Sequence, residues 1–331
     1  MNTTPKSRKK VIHCSIRKSL LELGSATKVE LSDKLGISFP TISKFLSQME
    51  TEGELLSVSL DDSSGGRRAK RYTYNPEYML GLAIFLEKSE TNYIVFNCLG
   101  EVRDAGNTSS ILADADLTLL TGCVEEIIDK YPKISSLAIG VPGSVDNGRI
   151  FYIPGYEHFK HLDLKGYLEN RFSIPVVIEN DMNAAVLGFY HSEGNKKNKS
   201  LVYLYSGQNG PGAGIMVNGI VVRGSTHFSG EVSFVPQYDN WNFGQALAGE
   251  GMIDAFSRLI ASFVAIINPH TIIFCNDEVE KATLDKIALG SSKYIPSEHL
   301  PELTISEWKQ DYLYGLRRLG LDLMMNETSS N

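Results

Sequence analysis

Apolar residues recur every four positions at Ile12, Ile16 and Leu20, with Val11 and Leu23 beside them, and predict an amphipathic helix ending at Gly24. Thr27 and Glu30 follow in capping-box spacing, where the hydroxyl and the carboxylate each satisfy a free N–H at a helix start. The short helix they open buries Leu31 and Leu35, and Gly36 permits a sharp turn. Ser38 is placed to cap a third helix, with Pro40 in its first turn, where a missing N–H costs little. Ile42, Phe45, Leu46 and Met49 form that helix's inner face, leaving Thr41, Ser43, Lys44 and Gln48 outward. Two strand-like runs, 55–60 and 67–74, flank the turn 61–66 and predict a hairpin.

Beyond residue 75 the pattern alternates between strand and helix. Runs 82–86 and 93–96 predict neighbouring strands, and Leu117, Leu120, Val124, Ile127 and Ile128 mark an amphipathic helix. Runs 137–141 and 175–178 predict buried strands, and 181–190 a short helix. Runs 201–205 and 215–217 predict strands around a Gly-rich turn, 246–267 is mostly helical, and 271–274 is expected to be the last strand. This alternation implies sheets covered by helices, with ligands gathering at loops beyond strand ends.

Helix, Gly-containing turn and helix, followed by a basic hairpin, predict a winged helix-turn-helix over 1–75. Ser38, Thr41, Ser43 and Lys44 then face phosphates and base edges, and Arg67, Arg68 and Lys70 at the wing enter the minor groove or bind phosphates. A small helical domain with a charged hairpin is the plainer reading. Lys6, Arg8, Lys9 and Lys10 are expected to form a loose basic arm. Charge supports the DNA reading: the net −7 divides into +5 for residues 1–75 and −12 for the remainder. No apolar run reaches membrane-span length, and the N-terminus lacks a signal peptide's apolar core. Four scattered cysteines, without a Cys-x-x-Cys pair, fit reduced thiols in the cytoplasm and give no zinc signature.

Four segments carry a specific resemblance. In order they are Ile139-Gly-Val-Pro-Gly-Ser-Val-Asp-Asn-Gly148, Glu179-Asn-Asp-Met-Asn-Ala-Ala185, Gly212-Ala-Gly-Ile-Met-Val-Asn-Gly219 and Arg223-Gly-Ser-Thr-His-Phe-Ser-Gly-Glu231. Together they resemble the ROK family of repressors, open reading frames and kinases, and the N-terminal module places the chain beside its xylose and N-acetylglucosamine regulators. The resemblance implies an actin-like fold over 76–331, two α/β lobes around a cleft. It also implies that Asn180 and Asp181 grip a sugar, that Glu231 binds its hydroxyls and that Gly143 lies in a turn bordering it. A carboxylate beside a sugar hydroxyl can act as base or simply as acceptor. Asn180-Asp181 equally suits a helix N-cap at a strand end, and both roles can hold at once.

The sequence departs from the family's kinases at four places. Where they carry Asp-x-Gly-Gly-Thr, this chain has Gly81-Leu-Ala-Ile-Phe-Leu-Glu-Lys88, and Phe85 and Leu86 crowd a phosphate. Pro211 removes a donor from the Gly-rich turn 206–214. Cys275-Asn276 stands for the adenosine-side Gly-Gly, and Phe234 for a His that contacts sugar and zinc. The following loop, 235–241, has no cysteine. The expectation is therefore a non-catalytic regulator without zinc or other cofactor, most simply a repressor of carbohydrate genes. Its partners would be double-stranded operator DNA, a carbohydrate-related effector and itself, as homodimer or tetramer, with no membrane contact. The effector would favour one lobe arrangement and so change the spacing of the two heads. A divergent ATP-dependent sugar kinase and an effector-free regulator are the alternatives.

Overall fold

A computed structural model describes residues 5–327, except 59–68, 115, 195–197, 208–209, 239, 248–250 and 278. The chain opens with α1 (Pro5–Leu23), β1 (Ala26–Thr27), α2 (Lys28–Leu35), α3 (Phe39–Thr51), β2 (Leu55–Val58) and β3 (Arg71–Tyr74). The Thr27/Glu30 capping box forms as expected, with Gly36 left-handed at the other end of α2. Ile16, Leu20, Leu31, Ile42, Leu46 and Met49 are fully buried between the three helices. Three strands in the order β1-β3-β2 close this core, so the expected hairpin gains a third strand. Two details differ from the sequence reading. The segment holding Lys6, Arg8, Lys9 and Lys10 is helical backbone within α1 rather than a loose arm. Ser38 occupies the N-cap position of α3, but its hydroxyl pairs with the Thr41 hydroxyl at 2.9 Å instead of capping an N–H.

The remainder builds two lobes of like topology. The first contains β4 (Leu80–Leu86), β5 (Glu90–Asn97), β6 (Val102–Ser109), α4 (Thr118–Lys130) and β7 (Ile134–Val141). A small excursion, β8 (Ser144–Asp146), β9 (Arg149–Tyr152) and β10 (Leu162–Asp163), precedes α5 (Leu164–Phe172), β11 (Val176–Asn180) and α6 (Asp181–Ser192). The second lobe contains β12 (Leu201–Tyr205), β13 (Gly212–Val217), β14 (Ile220–Val221), α7 (Phe243–Leu247), α8 (Met252–Ile267), β15 (Thr271–Cys275), α9 (Lys281–Ser291), β16 (Glu302–Ser306) and α10 (Trp308–Glu327). The strand 271–275 is thus not the last. Strand β16 pairs parallel to it, and the short, half-buried run Glu302–Ser306 carries too weak an apolar signal to be read from sequence.

The sheets run β6-β5-β4-β7-β11 and β14-β13-β12-β15-β16. In each, the second strand in chain order runs antiparallel to the other four, which are mutually parallel. Strand alternation divides the core into layers. Leu82, Ile84 and Leu86 pack toward α4 and α5, while Ala83 and Phe85 face the middle layer. In the second lobe Val202 and Leu204 pack toward α8 and α9, and Leu201, Tyr203 and Tyr205 face the middle. Helices α6 and α10, each following the fifth strand of its sheet, fill that middle layer. They cross at Gly188 and Gly315, each the eighth residue of its helix. A methyl on Gly188 would overlap the Asp311 carbonyl, and one on Gly315 the Ala184 carbonyl. The crossing is therefore backbone on backbone and symmetric.

Candidate functional site

Strand β11 ends at Asn180 and α6 starts at Asp181, so this junction puts a helix N-terminus at the floor of the interlobe cleft. Asn180 is the N-cap: its side-chain oxygen accepts from Asn183 N–H at 3.0 Å. Its amide donates to the Gly143 carbonyl at 3.0 Å and to Asp181 Oδ1 at 2.9 Å. Asp181 Oδ1 also accepts from Met182 N–H at 2.8 Å. Both bonds fall on Oδ1, which leaves Oδ2 for a ligand hydroxyl. Gly143 earns its place by close packing, since a Cβ there would overlap the Tyr152 carbonyl oxygen.

The four residues singled out in this body, Gly143, Asn180, Asp181 and Glu231, all line one cavity. Tyr152, Tyr205, Pro211, Ser144 and Ser229 join them, none of which the sequence reading assigned to the ligand. The cavity measures about 50 Å³, room for a few waters. Ligand pockets commonly span about 300–1,000 Å³, so the cavity as it stands is smaller than a sugar site requires.

The electrostatics are one-sided. Burial, reinforced by the Glu87 carboxylate and opposed by Met182 N–H, holds Asp181 well above the ordinary carboxylate range. Burial also raises Glu231. No Lys, Arg or His is found among the described residues lining the cavity. Arg223 and His227 line an adjoining recess with Asn180 and Glu231, but Arg223 is paired with the buried Glu179, and His227 Nε2 lies 2.9 Å from Asp146.

Behind Tyr205, which lines the cavity, a run of buried aromatic rings leads to β4. Tyr205 stacks on Trp308 with centroids 4.5 Å apart, Trp308 meets Tyr312 at 5.4 Å, and Tyr312 meets Phe85 at 5.0 Å. Phe85, Trp308 and Tyr312 are all at most 3% exposed. Sequence reading identified Phe85 as an obstacle, but Trp308 and Tyr312 arrive from α10, more than 200 residues away in the chain, and had no local signal.

In the N-terminal module Ser38, Thr41, Ser43 and Lys44 share the start of α3, with Ser38 and Lys44 exposed and Thr41 and Ser43 half-buried. Lys28 Nζ donates to Ser43 Oγ at 2.8 Å and adds a cation to this face that sequence reading did not include. Lys70 is tied to Glu50 at 2.6 Å. Arg67 and Arg68 lie outside the described residues.

Residues 91–244 match the ROK family. This chain carries a ROK-family domain. The xylose repressor of Bacillus spizizenii is 26% identical to it over 235 residues, covering 68% of this chain and 60% of the relative. The DNA-binding transcriptional dual regulator NagC of Escherichia coli is 20% identical over 224 residues, covering 65% and 54%. The match thus spans only about 60% or less of these relatives' own length. A solved ROK family transcriptional regulator, a homologue of the E. coli MLC protein, superposes with a TM-score of 0.72 at 17% identity, covering 97% of this chain and 99% of its own. A ROK glucokinase of Streptomyces griseus, solved with glucose and AMPPNP, superposes on the ROK body with a TM-score of 0.57 at 19% identity, covering 73% and 99%. Regulator and kinase share this two-lobe fold, so fold alone does not separate the two activities.

Proposed function

We propose that this chain is a DNA-binding transcriptional repressor whose ROK domain senses an unphosphorylated sugar and transfers no phosphate. The aromatic wall of Phe85, Tyr312, Trp308 and Tyr205 carries the non-kinase part. Phosphoryl transfer depends on positioning and on neutralising phosphate charge. Here buried rings pack behind Tyr205 up to β4, and Glu87 adds a buried carboxylate beside Asp181. The sugar is neutral by the same reasoning: Asp181 and Glu231 face the cavity, and the cations beside it, Arg223 and His227, already face the carboxylates of Glu179 and Asp146. Asn180, Asp181, Glu231 and the Gly143 turn grip its hydroxyls. Because the cavity is too small for a sugar, binding would open the lobes, and a ligand that prefers the open form shifts the population toward it.

The test combines titration and turnover. Melting temperature should rise with one member of a panel of neutral sugars, D-xylose and N-acetylglucosamine included, and stay unmoved by their phosphates, since only a ligand of the native state stabilises it. ADP release with ATP and the same sugar should remain at the blank. Steady ADP production dependent on Asp181 would establish the kinase instead.

The N-terminal elements support a winged helix-turn-helix, with α3 as the recognition helix, β2 and β3 as the wing and 1–75 as the DNA-binding unit. The relatives named as repressors favour this reading, and a homodimer would present two such heads to two half-sites. Lys44→Ala should weaken binding to operator DNA and reduce its salt slope by about 1, because one fewer counterion is released. An unchanged slope would take Lys44 out of the phosphate contacts.

A further inference from the structure

Helix α10 does more than complete the second lobe. At 20 residues it is longer than its counterpart α6, which has 12. Up to Leu319 the two correspond residue by residue from Asp181 and Trp308. The remainder of α10 has no equivalent in α6 and runs toward the N-terminal module. There Cys14 Sγ of α1 donates to the Met325 carbonyl at 3.5 Å. Trp308 stands against the cleft and Met325 against α1, about 26 Å apart at 1.5 Å per residue.

A second line of contacts runs from the same helix. Arg317 Nη1 donates to the Gly100 carbonyl at 2.9 Å, in the β5–β6 turn. That turn holds the segment after β3: Cys98 N–H donates to the Pro76 carbonyl at 3.3 Å, and the Asn97 amide to Glu77 at 2.9 Å. Asn75 in turn donates twice to the loop before β2, its N–H to the Glu54 carbonyl and its side-chain amide to the Gly53 carbonyl. The apolar core follows the same route. One continuous buried cluster takes in Ile16, Leu20, Leu46 and Tyr74 of the module, Met325, Met324, Leu316 and Tyr312 of α10, and Met182 and Tyr205 at the cleft.

At its other end α10 is locked to the helix that carries the ligand groups. The Gly188–Gly315 crossing leaves no side chain between the backbones, so α6 cannot shift without α10. The fold also buries two donors of α10, the Tyr312 hydroxyl and Trp308 Nε1, with no hydrogen-bond partner. Such groups favour any rearrangement that satisfies them.

We infer that α10 is the lever that couples the sugar cleft to the DNA-binding module: displacement of α6 at Asp181 moves α10 through the glycine crossing, and α10 re-seats α1 and the segment 75–77. This rests on the sensor reading for its purpose, but its mechanics can be tested without sugar or DNA. Hydrogen–deuterium exchange is followed on the full chain for Gly315→Ala, whose methyl must push α10 off the Ala184 carbonyl. Amides of α1 around Ile12–Leu20 should exchange faster by on the order of tenfold. Arg317→Ala should accelerate α1 and 75–77 in the same way. Lys309→Ala, which removes only the 2.6 Å ion pair of α10 with Glu90 of the first lobe, should leave α1 unchanged. Faster exchange confined to α6 and α10, with α1 at its native rate, would overturn the lever while leaving the sensor reading intact. If Gly315→Ala does not fold, Arg317→Ala decides by the same readout.

Discussion

Asp181→Asn should raise the melting temperature of the ligand-free protein and abolish its response to sugar. The two effects come from one physical cause. Asp181 is 5% exposed, and burial together with Glu87 raises its pKa. A carboxyl whose folded pKa lies above its unfolded value favours folding when protonated, and that contribution is lost as pH rises through the folded value. Above its unfolded pKa the buried carboxyl is therefore a burden on stability. Asparagine keeps an oxygen for Met182 N–H and for the Asn180 amide but carries no charge. The gain should appear as a shift on the order of 2–4 °C per kcal/mol recovered. The lost sugar response follows because an amide is a poorer acceptor for a ligand hydroxyl than a carboxylate. Differential scanning calorimetry with and without the sugar identified by titration measures both. A variant that melts lower would show Asp181 to be a structural cap; one that melts higher yet still binds would move the ligand elsewhere.

Arg17→Ala should be the most destabilising single change in the N-terminal module, at about 3–5 kcal/mol, the range for stranding one partner of a buried ion pair. Arg17 pairs with Glu54, which is fully buried, and Glu54 also accepts from the Tyr74 hydroxyl at 2.9 Å and lies 3.2 Å from His13 Nε2. Burial pushes the Glu54 carboxyl up, but hydrogen bonds from His13 and Arg17 and the Arg17 charge outweigh it, and the net direction is down. A depressed carboxylate stabilises above its unfolded pKa and loses that contribution as pH falls through the folded value. The wild-type module should therefore soften in acid. The Arg17→Ala penalty should shrink over the same window, because protonation removes the stranded charge. Urea unfolding of both proteins at neutral and acidic pH checks this, and a penalty independent of pH would exclude the charge as its origin. Replacing both partners by apolar residues, Arg17→Met with Glu54→Leu, should recover much of the loss, since no buried charge remains.

What the sequence by itself determined was local. The stripe Ile12, Ile16, Leu20, the Thr27/Glu30 cap and the Gly36 turn each depend on neighbours within a few residues, and all three appear in the structure. The Asn180–Asp181 junction was equally legible, because strand end and helix cap share the same short segment, and its convergence with Gly143 and Glu231 followed from ordered motifs. Tertiary structure decided the rest. Helix α10 is weakly amphipathic because it is covered on several sides, by α6, by β4 and by β7, so no single apolar face announces it. Its Trp308 and Tyr312 meet Tyr205 and Phe85 only through tertiary packing, across more than 100 residues of chain. The shifts at Asp181 and Glu54 have the same origin. Which buried carboxylate is raised and which lowered depends on whether folding brings a cation beside it: Arg17 reaches Glu54, whereas Asp181 meets only Glu87 and Glu231.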